Sequence, residues 1–525
     1  MSRPRLHNWC FAFVLTLPMV FFFLDYFFHH DSSLLPTGFI QYDNVSYIAY
    51  ARQYLDAEKL QLQYSNPFHD TASAPSYVQP QTFLFALLLR MGIPGGWILI
   101  PFTLLCSVIA FRLLIAIYDH LSPGNENRSL HIWLFAWGGG LLAAAGCLAH
   151  YYLGGSGSLW YGMFVLDPEN GWWGLNFGRS LFFSCEAYYH ALFLGCIYSL
   201  LKSRWAMGLF LLFFLSLSHP FTGIELIGIV GLWALVEFCI RRNAIPAWFL
   251  AGCLAAFCFH LWFYLVYLNQ FPEHRSVQEQ YTLNWRLAWY RMIPAYFITG
   301  LLAVASIYQL SVKKFFAQAY NRLFACWFLV AFLLANHELF IRARQPVHFT
   351  RGYIWTSLFL LGLPALHHLT KKWKTSHRKR ILAFAVVVFL SDNFLWIGNS
   401  IRTKTTEANI THITREQDEI LKWLDRESTA GTLVVSSDET VACLSTIRTS
   451  AYPWYSHPFT TPFAAEKKQV QERFLRNGTI DAGWLRRPVN YVLGKSDTAA
   501  LRSLQDKRIG KPKETANFVL VKYLP

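Results

Sequence analysis

A succession of apolar blocks constrains this chain more than any other feature of it. A bilayer core of about 30 Å is crossed by about 20 helical residues. Blocks near 9–28, 97–118, 132–152, 180–201, 206–219, 222–240, 247–268, 292–311, 322–339, 353–369 and 381–398 suit that length, 206–219 being the shortest. At 54% hydrophobic and 17% aromatic over 525 residues, the chain is too apolar for an ordinary soluble protein. The expected fold class is an all-α polytopic membrane bundle of about 11 transmembrane helices.

Charge orients the bundle. The formal net charge of +15 invites a nucleic-acid reading, but the basic residues lie mostly in short loops between apolar blocks, as the positive-inside tendency requires. With the N-terminus inside, the inner loops hold Lys202, Arg204, Arg241, Arg242, Lys313, Lys314, Arg322 and the run from Lys371 to Arg380. An odd number of spans then carries the C-terminus outside. Arg3 and Arg5 precede an aromatic run that is long enough to span and has no small-residue cleavage site, so it reads as a span rather than a secretory signal. The segment from Gln81 to Met91 is too short to cross and is bracketed by prolines and glycines, which suits an outer-surface or re-entrant helix. Neither metal-ligand spacing nor a disulfide framework is evident among the ten cysteines.

The expected domains are a membrane domain over residues 1–400, with outer surface helices within 31–96, and a small extracytoplasmic α/β domain over 401–525. In the latter, an amphipathic helix over Thr414–Arg426 precedes strand-like runs at Thr432–Val435, Val489–Leu493 and Phe518–Val521. Helical stretches near Glu466–Asn477 and Thr498–Gln505 separate those runs. This alternation predicts a partly parallel sheet.

Candidate site residues lie in the outer loops. Asp43 falls just past the first block, where it either caps the helix that follows or acts as a base. Ile48, Ala51 and Leu55 share one face of that helix, which suits a helix resting on the bilayer. A solvated aspartate near pKa ~3.9 is a weak base, so catalysis by Asp43 predicts that burial raises it. Asp167 and Glu169, in the second outer loop, are solvated charges or else position an acceptor or hold a divalent cation.

Arg342, Arg344, His348 and Arg351 crowd an outer loop against the positive-inside bias. They either snorkel to lipid headgroups or bind phosphate, and Arg179 has the same standing. Arg351 opens an apolar block and is the one placed to point inward. His219, in a His-Pro turn, is a satisfied turn histidine or a proton donor or base at a pocket rim. Glu186 and His190 lie four apart and suit a pair inside the bundle. Trp172, Trp173, Trp285 and Trp289 fit an interfacial belt or a sugar-stacking platform. In the tail, Tyr452 to Pro458 is a surface loop or a lid that supplies His457 or a lysine.

The layout resembles the GT-C class of integral-membrane glycosyltransferases. The resemblance rests on Asp43 after the first block, on the Asp43-Asn44-x-x-Tyr47-x-x-x-Ala51-Arg52 helix, and on a proline-preceded second surface helix and an outward soluble tail. It implies an inverting transfer from a polyprenyl-phosphate sugar at the outer face of a bacterial inner membrane, to a glycan, lipid or protein acceptor. Asp43 would be the base, with Tyr42, Asn44 and Tyr47 beside the substrate and Arg351 on the departing phosphate. The chain departs from the class in having no matched acidic pair after the second block, which leaves metal use and a second acid open. The competing readings are a glycan polymerase or ligase that takes a lipid diphosphate, and a transporter without bond chemistry. Inverted repeats expected of a transporter are not evident.

Overall fold

The computed structural model describes residues 3–523 apart from 57–60, 70–72, 168–174, 243, 281–284, 373–375, 403, 430, 479–489, 495–500 and 502–510. Contacts divide the chain into two compact units. One is Met1–Asp25, Phe102–Leu261 and Leu283–Thr403; the other is Tyr26–Pro101, Trp262–Thr282 and Lys404–Pro525.

The first unit is a helical bundle. Long helices occur at Arg3–Phe28, Gly95–Leu121, Ser184–Leu201, Pro220–Ile240, Ala247–Leu261, Trp289–Leu310, Tyr353–Lys372 and Ser376–Arg402, close to the predicted blocks. Shorter apolar helices fill Trp205–Ser218 and Ala319–Ala335. Among the described residues six helices are long and apolar enough to cross a membrane, or seven if one bent pair is counted.

That bent pair occupies the block expected as one span over 132–152 and breaks it into two helices. Helices Arg128–Trp137 and Leu142–Tyr152 meet at 54° across the glycines at 138–140. A helix start leaves backbone N–H groups without partners. Here Asp392 accepts from the N–H groups of Gly140, Leu142 and Ala143 at 2.9, 3.0 and 2.9 Å. The bend also needs backbone to approach backbone: a Cβ on Gly140 would lie 2.3 Å from the Ala295 carbonyl oxygen. Arg322, expected in an inner loop, is instead buried, and its Nη2 donates to Glu237 at 2.8 Å.

The second unit gathers residues 26–101, the Pro272–Gln280 helix and the tail. Leu34–Pro36 pairs antiparallel with His412–Thr414. The tail sheet runs in the order Tyr452–Pro453, Leu433–Ser436, Asn490–Gly494, Val519–Tyr523, Lys513–Glu514. Its first two pairings are parallel and the last two antiparallel, which is the partly parallel sheet expected. Leu433, Val435, Val492, Val521 and Phe474 build its core. Thr414 and Gln417 close a capping box on the Arg415–Glu427 helix, so two orphan donors are satisfied reciprocally. Of the predicted 498–505 helix, only Leu501 lies among the described residues.

The Tyr42–Asp56 helix packs against the Pro80–Arg90 and Glu439–Arg448 helices. Val45, Ile48, Ala49 and Ala51 are buried there. This differs from a helix resting on lipid through Ile48, Ala51 and Leu55: the first two are buried against protein, and Leu55 is 40% exposed. Pro80–Arg90, at 11 residues, is the short second helix expected. Tail and loop are stitched by Asn66 Nδ2 donating to the Thr460 carbonyl at 3.0 Å and the Phe463 N–H donating to Ser276 Oγ at 2.7 Å.

Candidate functional site

Each unit brings together one group of the predicted residues. In the second unit, the helix begins at Tyr42, so Asp43 stands inside the first turn rather than at the cap. A carboxylate is still favoured there by the partial positive charge of the helix start. The Phe459 N–H donates to His457 Nδ1 at 3.2 Å, so the neutral imidazole keeps its proton on Nε2. That nitrogen lies 3.5 Å from Asp43 Oδ1. His457 is buried while Asp43 is 55% exposed, so the apolar burial expected around the acid is absent and the buried histidine is its neighbour instead.

Tyr42 meets His457 edge-on, with ring centroids 6.0 Å apart. Burial raises the Tyr42 phenol above its ordinary pKa, and the Thr440 hydroxyl partly offsets the rise. Asn44 is buried and Tyr47 half-buried. Lys467 and Lys468, the lysines a lid could supply, lie over the Trp454 and Tyr455 rings at 5.2 and 5.8 Å.

In the first unit, Arg351 is the centre. It is 5% exposed; its Nη1 donates to Glu186 Oε1 and its Nη2 to His348 Nδ1. His219 caps the Pro220–Ile240 helix, its Nδ1 accepting from the Thr222 N–H at 3.1 Å. Its proton therefore sits on Nε2, 3.4 Å from Arg351 Nη1. Arginine cannot accept, so these are two neighbouring donors suited to share one anionic oxygen. Tyr189 stacks on His219 at 4.5 Å, and Phe221 on His348 at 4.5 Å, which fixes both rings.

Other candidates fall elsewhere. The expected Glu186–His190 pair does not form: Glu186 binds Arg351, and His190 Nε2 bonds Ser180 Oγ at 2.8 Å. Asp167 is held by Arg179, whose Nη2 reaches both carboxylate oxygens at 2.8 and 2.9 Å. The Arg179 guanidinium also lies 4.7 Å from the Trp396 ring centroid. Among the described residues no three or more His, Cys, Asp or Glu side chains group closely enough to hold a metal ion. Glu169, Trp172 and Trp173 lie outside the described residues.

Arg342 and Arg344 carry exposed side chains and do not join Arg351. Trp285 stacks loosely on His348 at 6.5 Å, whereas Trp289 is 72% exposed. Sequence reasoning missed the partnership of Glu186 with Arg351 and the role of Asp392. The available signal was an acid inside an apolar block, which needs a partner wherever it occurs.

No family model matches the chain, and no curated protein matches it. Among solved structures it is similar to that of ArnT from Cupriavidus metallidurans bound to undecaprenyl phosphate. The likeness has a TM-score of 0.50 at 11% identity and covers 98% of each chain. The chain is thus a multi-pass membrane protein that shares the polytopic fold of ArnT, the GT-C fold its sequence resembles.

Proposed function

We propose that this protein is a membrane glycosyltransferase that moves a sugar from a polyprenyl-phosphate donor to an acceptor at the extracytoplasmic face, with inversion. The observation that carries the reading is the fold likeness, over 98% of the chain, to a structure bound to undecaprenyl phosphate. Asp43 takes the proton of the acceptor hydroxyl, whose oxygen bonds to the anomeric carbon. The bond from that carbon to the phosphate oxygen breaks, and its electron pair leaves with the polyprenyl phosphate. His457 Nε2–H, 3.5 Å from Asp43, orients the carboxylate. Arg351 and His219, which lie together in the first unit, present two donors that suit a phosphate oxygen, a role that the fixed His219 tautomer supports.

The test uses the protein in nanodiscs with undecaprenyl phosphate carrying a radiolabelled pentose or hexose, and bacterial envelope glycans and lipids as acceptors. Wild type should transfer label, and Asp43→Asn should lose about 10²–10⁴-fold, the usual contribution of a general base. No transfer from any lipid-phosphate sugar would refute the reading. A second reading, a glycan ligase that takes a lipid diphosphate, is favoured by the gathering of Arg351, His219 and His348. Transfer from a lipid-diphosphate glycan that survives Asp43→Asn and fails in Arg351→Ala would select it.

A further inference from the structure

The Ser184–Leu201 helix has Glu186 of the Arg351 cluster near its start and Lys202 at its C-cap. At 1.5 Å per residue, the two lie about 24 Å apart along it. Around Lys202 opens a polar bay of about 400 Å³, lined by Asn8, Arg112, Asp119, His120, Tyr198 and Lys202 among others. Nothing in the transfer reaction uses it.

Its charge is unbalanced. The one carboxylate on its wall, Asp119, is already taken: Arg128 donates through Nε and Nη2 at 2.6 and 2.9 Å, and Asn8 through Nδ2 at 3.2 Å. Among the described residues neither Arg112 nor Lys202 forms an ion pair. The Arg112 guanidinium lies over Trp9, 5.9 Å from the ring centroid, and its buried Nε has no hydrogen-bond partner. An arginine within a membrane-crossing helix normally pairs with an acid or a carbonyl, because an unanswered charge there is costly. Lys202 Nζ lies 3.0 Å from His120 Nδ1. An ammonium only donates, so Nδ1 accepts from Lys202, and the remaining imidazole N–H is taken by the Leu201 backbone carbonyl, which leaves the two cations as the donors of the bay.

Two cations without a carboxylate partner among the described residues, facing one concavity, form a recognition set for phosphate oxygens. We propose that this bay is a second anion site, separate from the Arg351 cluster, that binds a phosphate group carried by a phospholipid headgroup or free in solution. Trp9, over which Arg112 lies, is 39% exposed, which suits a ligand that arrives with acyl chains.

Protein in nanodiscs of phosphatidylcholine with added phosphatidylglycerol, followed by native mass spectrometry, tests the lipid source. Protein in pure phosphatidylcholine nanodiscs, with inorganic phosphate titrated against the thermal midpoint, tests the free ion. Wild type should retain phosphatidylglycerol about tenfold better than Arg112→Gln or Lys202→Gln, the size of one charge-assisted hydrogen bond. Alternatively it should show a phosphate-dependent rise in midpoint that both variants lack. Lys313→Gln, which removes an exposed charge elsewhere, should behave as wild type. Equal retention by all forms with no phosphate shift would overturn the proposal, and so would an equal loss in Lys313→Gln. Lys202 is exposed, so Lys202→Gln keeps the test open even if Arg112→Gln does not fold.

Discussion

Asp43 and Arg351 handle charge in opposite ways. Asp43 is 55% exposed and stands 3.5 Å from a buried histidine. Arg351 is 5% exposed, and its guanidinium donates to Glu186 and His348 with His219 as a neighbouring donor. An exposed carboxylate can be reached by an acceptor hydroxyl from solvent. A buried guanidinium cannot be deprotonated, and its ion pair resists disruption because either member alone would be an uncompensated buried charge. The acid is therefore open to solvent, as the proposed base must be, and the cation is held in place, as the proposed phosphate anchor must be.

The comparison can be broken first at Arg351. Arg351→Ala leaves Glu186 buried and unpaired, and should cost about 3–5 kcal/mol in denaturant unfolding. Arg351→Met with Glu186→Gln should recover much of that loss, because the lone charge is gone. If Arg351→Ala unfolds like wild type, the pair is not the closed unit described. Asp392→Ala, which strands three backbone N–H groups at the helix break, should cost about 1–3 kcal/mol or more. Asp43→Asn, at an exposed position, should by contrast shift stability by no more than about 0.5 kcal/mol.

A smaller effect sharpens the acid side. His457→Gln removes a ring that orients Asp43 without touching the carboxylate, so transfer should fall less than in Asp43→Asn, with a stability loss from the buried site. The smallest is a pH dependence of the unit that holds Asp43. Burial pushes His274 down from 6.5 to about 4, so its neutral form is favoured in the fold. The folded state then binds fewer protons than the unfolded one between those values, and stability, full above pH 6.5, is lost as pH falls toward 4. Thermal midpoints across that window should drop in wild type and flatten in His274→Gln.

These residues also mark what the sequence could tell. Apolar blocks and strand alternation are local, and helices and strands stand close to where they were expected, such as 433–436 against 432–435. The break at 138–140 is hidden from hydropathy because glycines look apolar, and its partner Asp392 is some 250 residues away. Spacing paired Glu186 with His190 on one helix, but a charge–charge bond to Arg351, 165 residues on, outweighs a neutral neighbour. Spacing did single out Arg351, which opens an apolar block, as the inward arginine of its loop, and Arg342 and Arg344 carry exposed side chains. His457 could be named as a candidate, but its position beside Asp43 depends on a tertiary contact between loop and tail.

The most direct measurement separates donor binding from turnover. Undecaprenyl phosphate binding to nanodisc-embedded protein is titrated for wild type, Asp43→Asn and Arg351→Lys, the last keeping the charge but losing the fork, alongside label transfer. Asp43→Asn should bind the lipid phosphate as tightly as wild type while its transfer is lost, and Arg351→Lys should bind it at least about tenfold more weakly. Unchanged binding in Arg351→Lys, or full transfer in Asp43→Asn, would contradict the proposed roles.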